Sequence, residues 1–283
     1  MVKFLSGLDE FVEYKAERRF CTLDQNCGRL LKKICDNHSF MSSFSSLQFG
    51  RDATVTRLST LITPSNILNS AVMTLHSMLI CCEYGHFADV ITLTRKYRDD
   101  LFFYLYIVSV NEINNLFSDE KASKQEENIK KWIDNNLHDL NIGEILSHIA
   151  SMPHTKDAVR KYNLKCSFDE IGSTLNSYVH GSGISFYNKF VRVYTEKELT
   201  IFIDRTIKHL DYITVTFVYL LALCRPISIM SSDYLDYLEC GYTPPCESQY
   251  WVAPFIKELM SNSAHLLGND CLKYLREETG MMI

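Results

Sequence analysis

Apolar residues recur every three or four positions along most of the chain, the spacing of a buried helix face. The clearest run starts at Thr63 and Pro64, a good helix start, and closes at Gly85. A second run extends from about residue 87 to residue 116. Because Gly85 separates the two runs by so little, they predict an antiparallel pair of long helices.

Further helices are predicted on both sides of this pair. Towards the N-terminus, residues 3–17 and 22–36 are amphipathic, whereas 38–50, rich in serine and phenylalanine, is predicted as a loop or irregular element. Towards the C-terminus, a short helix is predicted over 142–149, a late helix from Trp251 to near Gly268, and a last one over 269–278.

The longest predicted helix begins at Thr195, which forms a capping box with Glu198. Its apolar positions alternate steps of four and three, the seam of a helix packed almost parallel to its neighbours. The positions of this seam are Leu199, Ile203, Thr206, Leu210, Ile213, Phe217 and Leu220. Arg225 and Pro226 are predicted to end the helix.

The segment 167–183 is predicted to be a short helix that presents a histidine at its end. Ser167 and Glu170 have capping-box spacing, and Gly181 supplies a left-handed residue that can end a helix. Asn176 and His180 are one turn apart on a polar face. The helix dipole favours the imidazolium form of a histidine in this position.

These elements predict an all-α protein built as an antiparallel helical bundle. Residues 64–224 form the bundle, and 1–63 and 225–283 are predicted as helical extensions, probably packed with it as one compact unit. Only 184–194 has β character, which allows a small β insertion, either a hairpin or an extended arm.

Composition indicates which broad classes of protein this chain resembles and which it does not. Apolar residues make up 46% and charged residues 22% of the 283, as in a soluble globular protein, and a net charge of −5 gives no global basic field for nucleic acid. The ten cysteines have no disulfide or Cys-x-x-Cys pattern. No signal peptide is visible and the longest apolar run is too short for a membrane span. We therefore expect a cytoplasmic protein without membrane contact.

Two arginines offer an anion site on the second long helix. Arg95, Arg98 and Asp99 share one flank beside the core face, and two arginines three residues apart can bind a phosphate. The alternative is structural: Arg95 pairs with Asp99, and Arg98 pairs with a neighbouring helix.

His180 is the best candidate for acid–base chemistry. Asn176, Tyr178 and Ser182 concentrate hydrogen-bonding groups around it, although it could simply cap the last helix carbonyls. His148, His154 and His209 are predicted as surface residues. No metal site and no cofactor are predicted, because paired zinc ligands and a glycine-rich phosphate loop are both lacking.

The helix pair containing Arg95 and Arg98, followed by a helix with the sequence Leu-Asn-Ser-Tyr-Val-His over 175–180, resembles the HEPN superfamily (higher eukaryotes and prokaryotes nucleotide-binding). The closest branches are the abortive-infection-like and uncharacterised ones. The resemblance implies a helical bundle, commonly a homodimer, and in many members a metal-independent ribonuclease. Asn176 and His180 match the family motif, but Leu175 occupies its arginine position, and leucine cannot stabilise charge on a scissile phosphate.

Two functions follow as expectations. The first is a ribonuclease effector of a bacterial defence or toxin–antitoxin system, with His180, Arg95 and Asn176 catalytic and Arg98, Asp99, Tyr178 and Ser182 binding the substrate. The second is a non-catalytic module that binds a nucleotide, a nucleic acid or a partner protein such as an antitoxin.

Overall fold

The computed structural model describes residues 25–58, 61–110, 121–136, 140–180, 184–190, 194–245 and 251–283. These residues are mostly helical, as predicted, with one two-stranded sheet among them. The predicted helix over 3–17 and the end of the predicted helix over 87–116 lie outside the described residues.

The elements follow one another along the chain in this order. The first half contains α1 (Gln25–Gln48), β1 (Thr54–Val55), β2 (Leu61–Ile62), α2 (Ser65–Glu83), α3 (Phe87–Val108), α4 (Lys124–Ile133), α5 (Ile142–Ile149) and α6 (Lys156–Lys161). The second half contains α7 (Leu164–Asn176), α8 (Ile184–Phe190), α9 (Glu196–Cys224), α10 (Ser232–Glu239), α11 (Pro254–Ser263) and α12 (Cys271–Thr279). Short 3-10 turns follow α9 (Pro226–Ile229) and α11 (Ala264–Leu266).

The core is a bundle of α1, α2, α3 and α9. The predicted pair is confirmed: α2 begins directly after Pro64, and Gly85 turns the chain into α3 with a positive φ of 74°. The predicted capping box of Thr195 and Glu198 opens α9, and the seam from Ile203 to Leu220 is buried. Arg225 ends this helix and donates to the carbonyl of Val108 at the end of α3.

The predicted loop over 38–50 is wrong, because α1 continues through Gln48. Its buried face contains Leu30, Ile34, Met41 and Phe44, and the polar Asn37 interrupts the pattern. Asn37 is nevertheless buried, with its Oδ1 3.0 Å from Thr214 Oγ1, which lies 2.9 Å from the Tyr97 hydroxyl. A buried polar residue with hydrogen-bond partners can therefore occupy a core position of the helix.

The β insertion allowed over 184–194 is also not found, since Ile184–Phe190 is helical. Phe186 and Phe190 are four residues apart, with ring centroids 5.1 Å from each other. This helical pair outweighs the β propensity of the same aromatic residues. Residues 191–193 of this segment lie outside the described residues, and the sheet is the antiparallel pair β1–β2 instead.

The described parts of both predicted extensions share the core of the bundle. Leu30 of α1, Ile256 of α11 and Leu275 of α12 are fully buried in the same cluster as Phe217 of α9. That the whole chain forms a single compact unit stays a prediction. The boundaries after residues 63 and 224 stay predictions.

Among the residues that the structure describes, two helices are long and apolar enough to cross a membrane by length and composition. In α2, the most apolar stretch has a mean hydropathy of 1.2, and 39% of it is buried. In α9, the most apolar stretch has a mean hydropathy of 1.4, and 78% of it is buried. The core helix of a globular protein can have the same length and composition, and α9 is buried as such a helix would be.

Candidate functional site

The helix before His180 begins earlier than predicted. It starts at Leu164, after Asn163 in a left-handed conformation with φ of 52°, so the capping box at Ser167 is wrong. The amide of Ser167 instead donates to the carbonyl of Asn163, 3.3 Å away. Leu164 is buried and extends the apolar stripe of Phe168 and Ile171 by one turn, which explains the earlier start.

His180 lies beyond the helix and not in its last turn. α7 ends at Asn176, and the chain continues as a hydrogen-bonded turn over residues 177–180, here called the His180 turn. The His180 amide donates to the carbonyl of Asn176 at 3.2 Å, and the residue is exposed. Gly181 and Ser182 lie outside the described residues.

α3 and α7 pack antiparallel, and two contacts define how they align. The Thr92 hydroxyl lies 3.2 Å from the Tyr178 carbonyl oxygen and can donate to it. On the next turns of α3, Arg98 Nη1 lies 3.2 Å from the point where a Cβ on Gly172 would be. At about 1.5 Å per residue, the two contacts are about 9 Å apart along the helices.

Arg98 is buried and neutralised within its own helix. Only 1% of the residue is exposed, and its Nε and Nη2 lie 2.8 and 2.7 Å from Asp99 Oδ1. Burial raises the pKa of Asp99, and the charge of Arg98 opposes this rise. Arg98 is therefore ion-paired, but the predicted partner on a neighbouring helix is wrong, because the partner is Asp99 of its own helix.

Arg95 is less enclosed than Arg98. A quarter of its side chain is exposed, and its Nε is 3.6 Å from Asp99 Oδ2, a long ion pair. Asn176 lies one turn after Gly172 on α7 and so shares the face that meets α3. Its Oδ1 is buried without a hydrogen-bond partner. Arg95, Arg98 and Asp99 thus form one ion-paired group on α3, and Asn176 lies on the α7 face that packs against this helix.

The structure does not bring His180 and Arg98 together within one protomer. Arg98 lies at the level of Gly172, whereas His180 follows the Thr92 contact at the other end of this packing interface. Their exposures also differ, because His180 faces solvent and Arg98 does not. A site shared by both groups is therefore not built by these two helices alone.

Lys189 is a cation at the His180 turn that the sequence did not single out. Its Nζ donates to the Ser177 carbonyl at 2.6 Å and to the Ser177 hydroxyl at 3.0 Å, and lies 4.5 Å from the ring centroid of Tyr178. An ammonium has three N–H donors, so one remains for a ligand. Lys189 was missed because 184–194 was predicted as extended.

A groove of about 590 Å³ lies between α7 and α9, here called the α7–α9 groove. Its lining residues are Ser167, Glu170, Ile171, Thr174, Arg205, Lys208, His209, Tyr212 and Leu266. A smaller pocket of about 170 Å³ shares Arg205 with it and reaches Tyr178 of the His180 turn. The described surface near this turn is therefore concave as well as polar.

His209 in this groove is not the surface histidine that the sequence predicted. Its Nδ1 is buried without a partner, and burial lowers the pKa of the imidazole to about 4, with the charge of Arg205 adding to the shift. The prediction is also wrong for His148, which packs against Tyr106 and has a pKa lowered by burial. His154 is exposed, as predicted.

No cluster of three or more potential metal ligands occurs among the residues that the structure describes. Comparisons with protein-family models, with curated proteins and with solved structures each find no match.

Proposed function

We propose that the chain is a non-catalytic, HEPN-like module that binds RNA at the His180 turn. The observation that carries the proposal is the placement of the polar groups. His180 is exposed at the end of the turn, and the half-buried Lys189 of the neighbouring α8 contacts the turn at Ser177, whereas Arg98 is 1% exposed and paired with Asp99. The groups suited to hold a phosphate are accessible, and the arginine suited to assist cleavage is not.

A site that cleaves RNA needs catalytic groups that a site that only binds RNA does not need. Attack by a ribose 2′-hydroxyl needs a general acid or base and a positive group that stabilises charge developing on the phosphate. His180 can provide the first. Leu175, at the motif's arginine position, is uncharged and buried, and Asp99 already neutralises Arg98. Binding needs only cations and donors facing the backbone of the RNA.

The net charge of −5 is compatible with a local site of this kind. At physiological ionic strength, the Debye length is about 8 Å, so distant acidic residues are screened from a bound phosphate. Affinity then depends on the few groups at the turn. We expect weak, salt-sensitive binding that suits a regulatory module in the cytoplasm, acting as a homodimer or with a partner such as an antitoxin.

A metal-independent ribonuclease is the second candidate, and the exposure of His180 and Arg95 favours it. The 3.6 Å pair between Arg95 and Asp99 is long enough for a phosphate to replace the carboxylate. In the ribonuclease, two protomers would place their His180 turns around one shared cleft. The chain would then be an effector of a bacterial defence or toxin–antitoxin system.

Incubation of the purified protein with total RNA and with tRNA in EDTA separates the two functions. The binding proposal predicts that both RNAs are retarded in a native gel and recovered intact. His180→Ala should weaken retardation, while His154→Ala, which removes another exposed histidine, should not. Cleavage by the wild type that His180→Ala abolishes and His154→Ala retains would establish the ribonuclease instead.

A further inference from the structure

We propose that the α7–α9 groove is a separate binding site for a small phosphate monoester carried on an apolar or aromatic body. The site does not use Lys189 or His180, so it can exist whether or not the chain binds RNA. It is assembled from one face of α9 and one face of α7, with Leu266 at its edge.

The positive charge of the groove comes from Arg205 and Lys208. They are three residues apart on α9, so their side chains are neighbours on one face. Both are exposed, and neither forms a salt bridge with a residue in the described ranges. An arginine and a lysine so placed suit the oxygens of one phosphate.

The acidic residues of the same stretch of α9 do not cancel this charge. Asp204 pairs with Arg29 at 2.8 Å, and Asp211 pairs with Lys33 at 2.7 Å, both on α1. These carboxylates are therefore engaged with α1, while Arg205 and Lys208 line the groove. The helix thus separates its negative and positive side chains between two neighbours.

His209 adds hydrogen-bonding capacity in the interior of the groove. A neutral imidazole carries one N–H donor and one acceptor nitrogen, and the Nδ1 of His209 is buried without a partner. Because Nδ1 is enclosed by protein, Nε2 is the nitrogen of this imidazole that can face a ligand in the groove. Burial keeps this imidazole neutral at pH 7, with its pKa lowered to about 4.

The other residues that line the groove indicate the chemistry of the group that carries the phosphate. Ile171, Tyr212 and Leu266 provide apolar and aromatic surface. Glu170 lies on the α7 side, where its carboxylate repels a second phosphate but can accept from a hydroxyl or amino group. The volume of about 590 Å³ is that of a small-molecule site. A single phosphate on a compact body fits this lining better than a polyanionic backbone.

Titration calorimetry with phenyl phosphate, inorganic phosphate and phenol tests the assignment. We expect phenyl phosphate to bind more tightly than either of the other two probes. The double variant Arg205→Gln/Lys208→Gln should weaken its binding at least tenfold, while Lys32→Gln, a loss of one exposed lysine on α1, should leave it unchanged. A thermal melt matching that of the wild type confirms that the double variant is folded.

Three results would overturn the assignment: no binding of phenyl phosphate at millimolar concentration, equal binding by the double variant, or equal binding of phenol. Lys189→Gln distinguishes this site from the His180 turn. It should leave phenyl phosphate binding intact even if it abolishes RNA binding. Loss of phenyl phosphate binding in that variant would also contradict a separate site.

Discussion

At the scale of single residues, burial separates side chains that the sequence presents as equivalent. Arg95 and Arg98 are both arginines on one flank of α3, yet the first is a quarter exposed and the second is enclosed against Gly172. The sequence predicted that both lie beside the core face of the helix, but Arg98 is buried. It could not reveal which guanidinium is enclosed, because that depends on the position of α7, which is distant in the chain.

The packing of Arg98 against Gly172 can be tested with two glycine variants. Gly172→Ala places a Cβ 3.2 Å from Arg98 Nη1, whereas Gly28→Ala in α1 meets nothing within 4 Å. In both variants, the higher helix propensity of alanine stabilises the folded state by up to about 1 kcal/mol. We expect Gly28→Ala to stabilise the protein and Gly172→Ala to be at least about 1 kcal/mol less favourable, because the contact must shift. Urea denaturation that gives equal changes for both variants would contradict the contact.

His209 gives a pH dependence of stability with a definite sign. Its folded pKa of about 4 lies below the usual 6.5, so the unfolded chain binds more protons between these values. Stability is present above pH 6.5 and is lost as pH falls towards 4, by at most about 2 kcal/mol at pH 5. Denaturation at pH 7.5 and pH 5 should show this loss reduced in His209→Gln but unchanged in the exposed-residue control His154→Gln.

At the scale of elements, periodicity and capping predicted some helices well and misplaced others. The runs of α2 and α9 are long and strongly apolar, so their starts and buried faces agree with the pattern. α1 was cut short because 38–50 is rich in serine and phenylalanine and because Asn37 interrupts the apolar face; its buried partner, Thr214, is far away in sequence. α8 was predicted as β structure and not as a helix, because its aromatic residues occur readily in strands and can also pair along a helix.

The capping box that opens α9 should contribute measurably to stability. The Glu198 amide donates to Thr195 Oγ1, and the Glu198 carboxylate accepts from the Thr195 amide at 3.0 Å. Thr195→Ala removes the first bond and should cost about 1 kcal/mol in the free energy of unfolding. Thr195→Ser, which retains a hydroxyl, should recover most of it. A loss as large in the serine variant would show that packing and not capping is responsible.

At the scale of the whole molecule, the described chain is mostly helical, and the two binding sites proposed for it lie on neighbouring surfaces. The sequence predicted the all-α class of the fold, whereas the functional importance of the segment around His180 stays a prediction. It missed Lys189 because 184–194 was predicted as a hairpin or an extended arm, and it missed the α7–α9 groove because these two helices are apart in the chain. Arg205 and Lys208 carry no motif, and only the pairing of Asp204 and Asp211 with α1 leaves their charge for a ligand.

The salt dependence of RNA binding tests the central claim most directly. Anisotropy of a labelled single-stranded RNA, measured over a series of salt concentrations, gives the slope of log affinity against log salt. Loss of one phosphate contact should lower this slope by about 0.7 in Lys189→Gln, with affinity reduced at each concentration, while Lys32→Gln retains the wild-type slope. Absence of RNA binding by the wild type, or identical slopes for wild type and Lys189→Gln, would contradict an RNA site at the His180 turn.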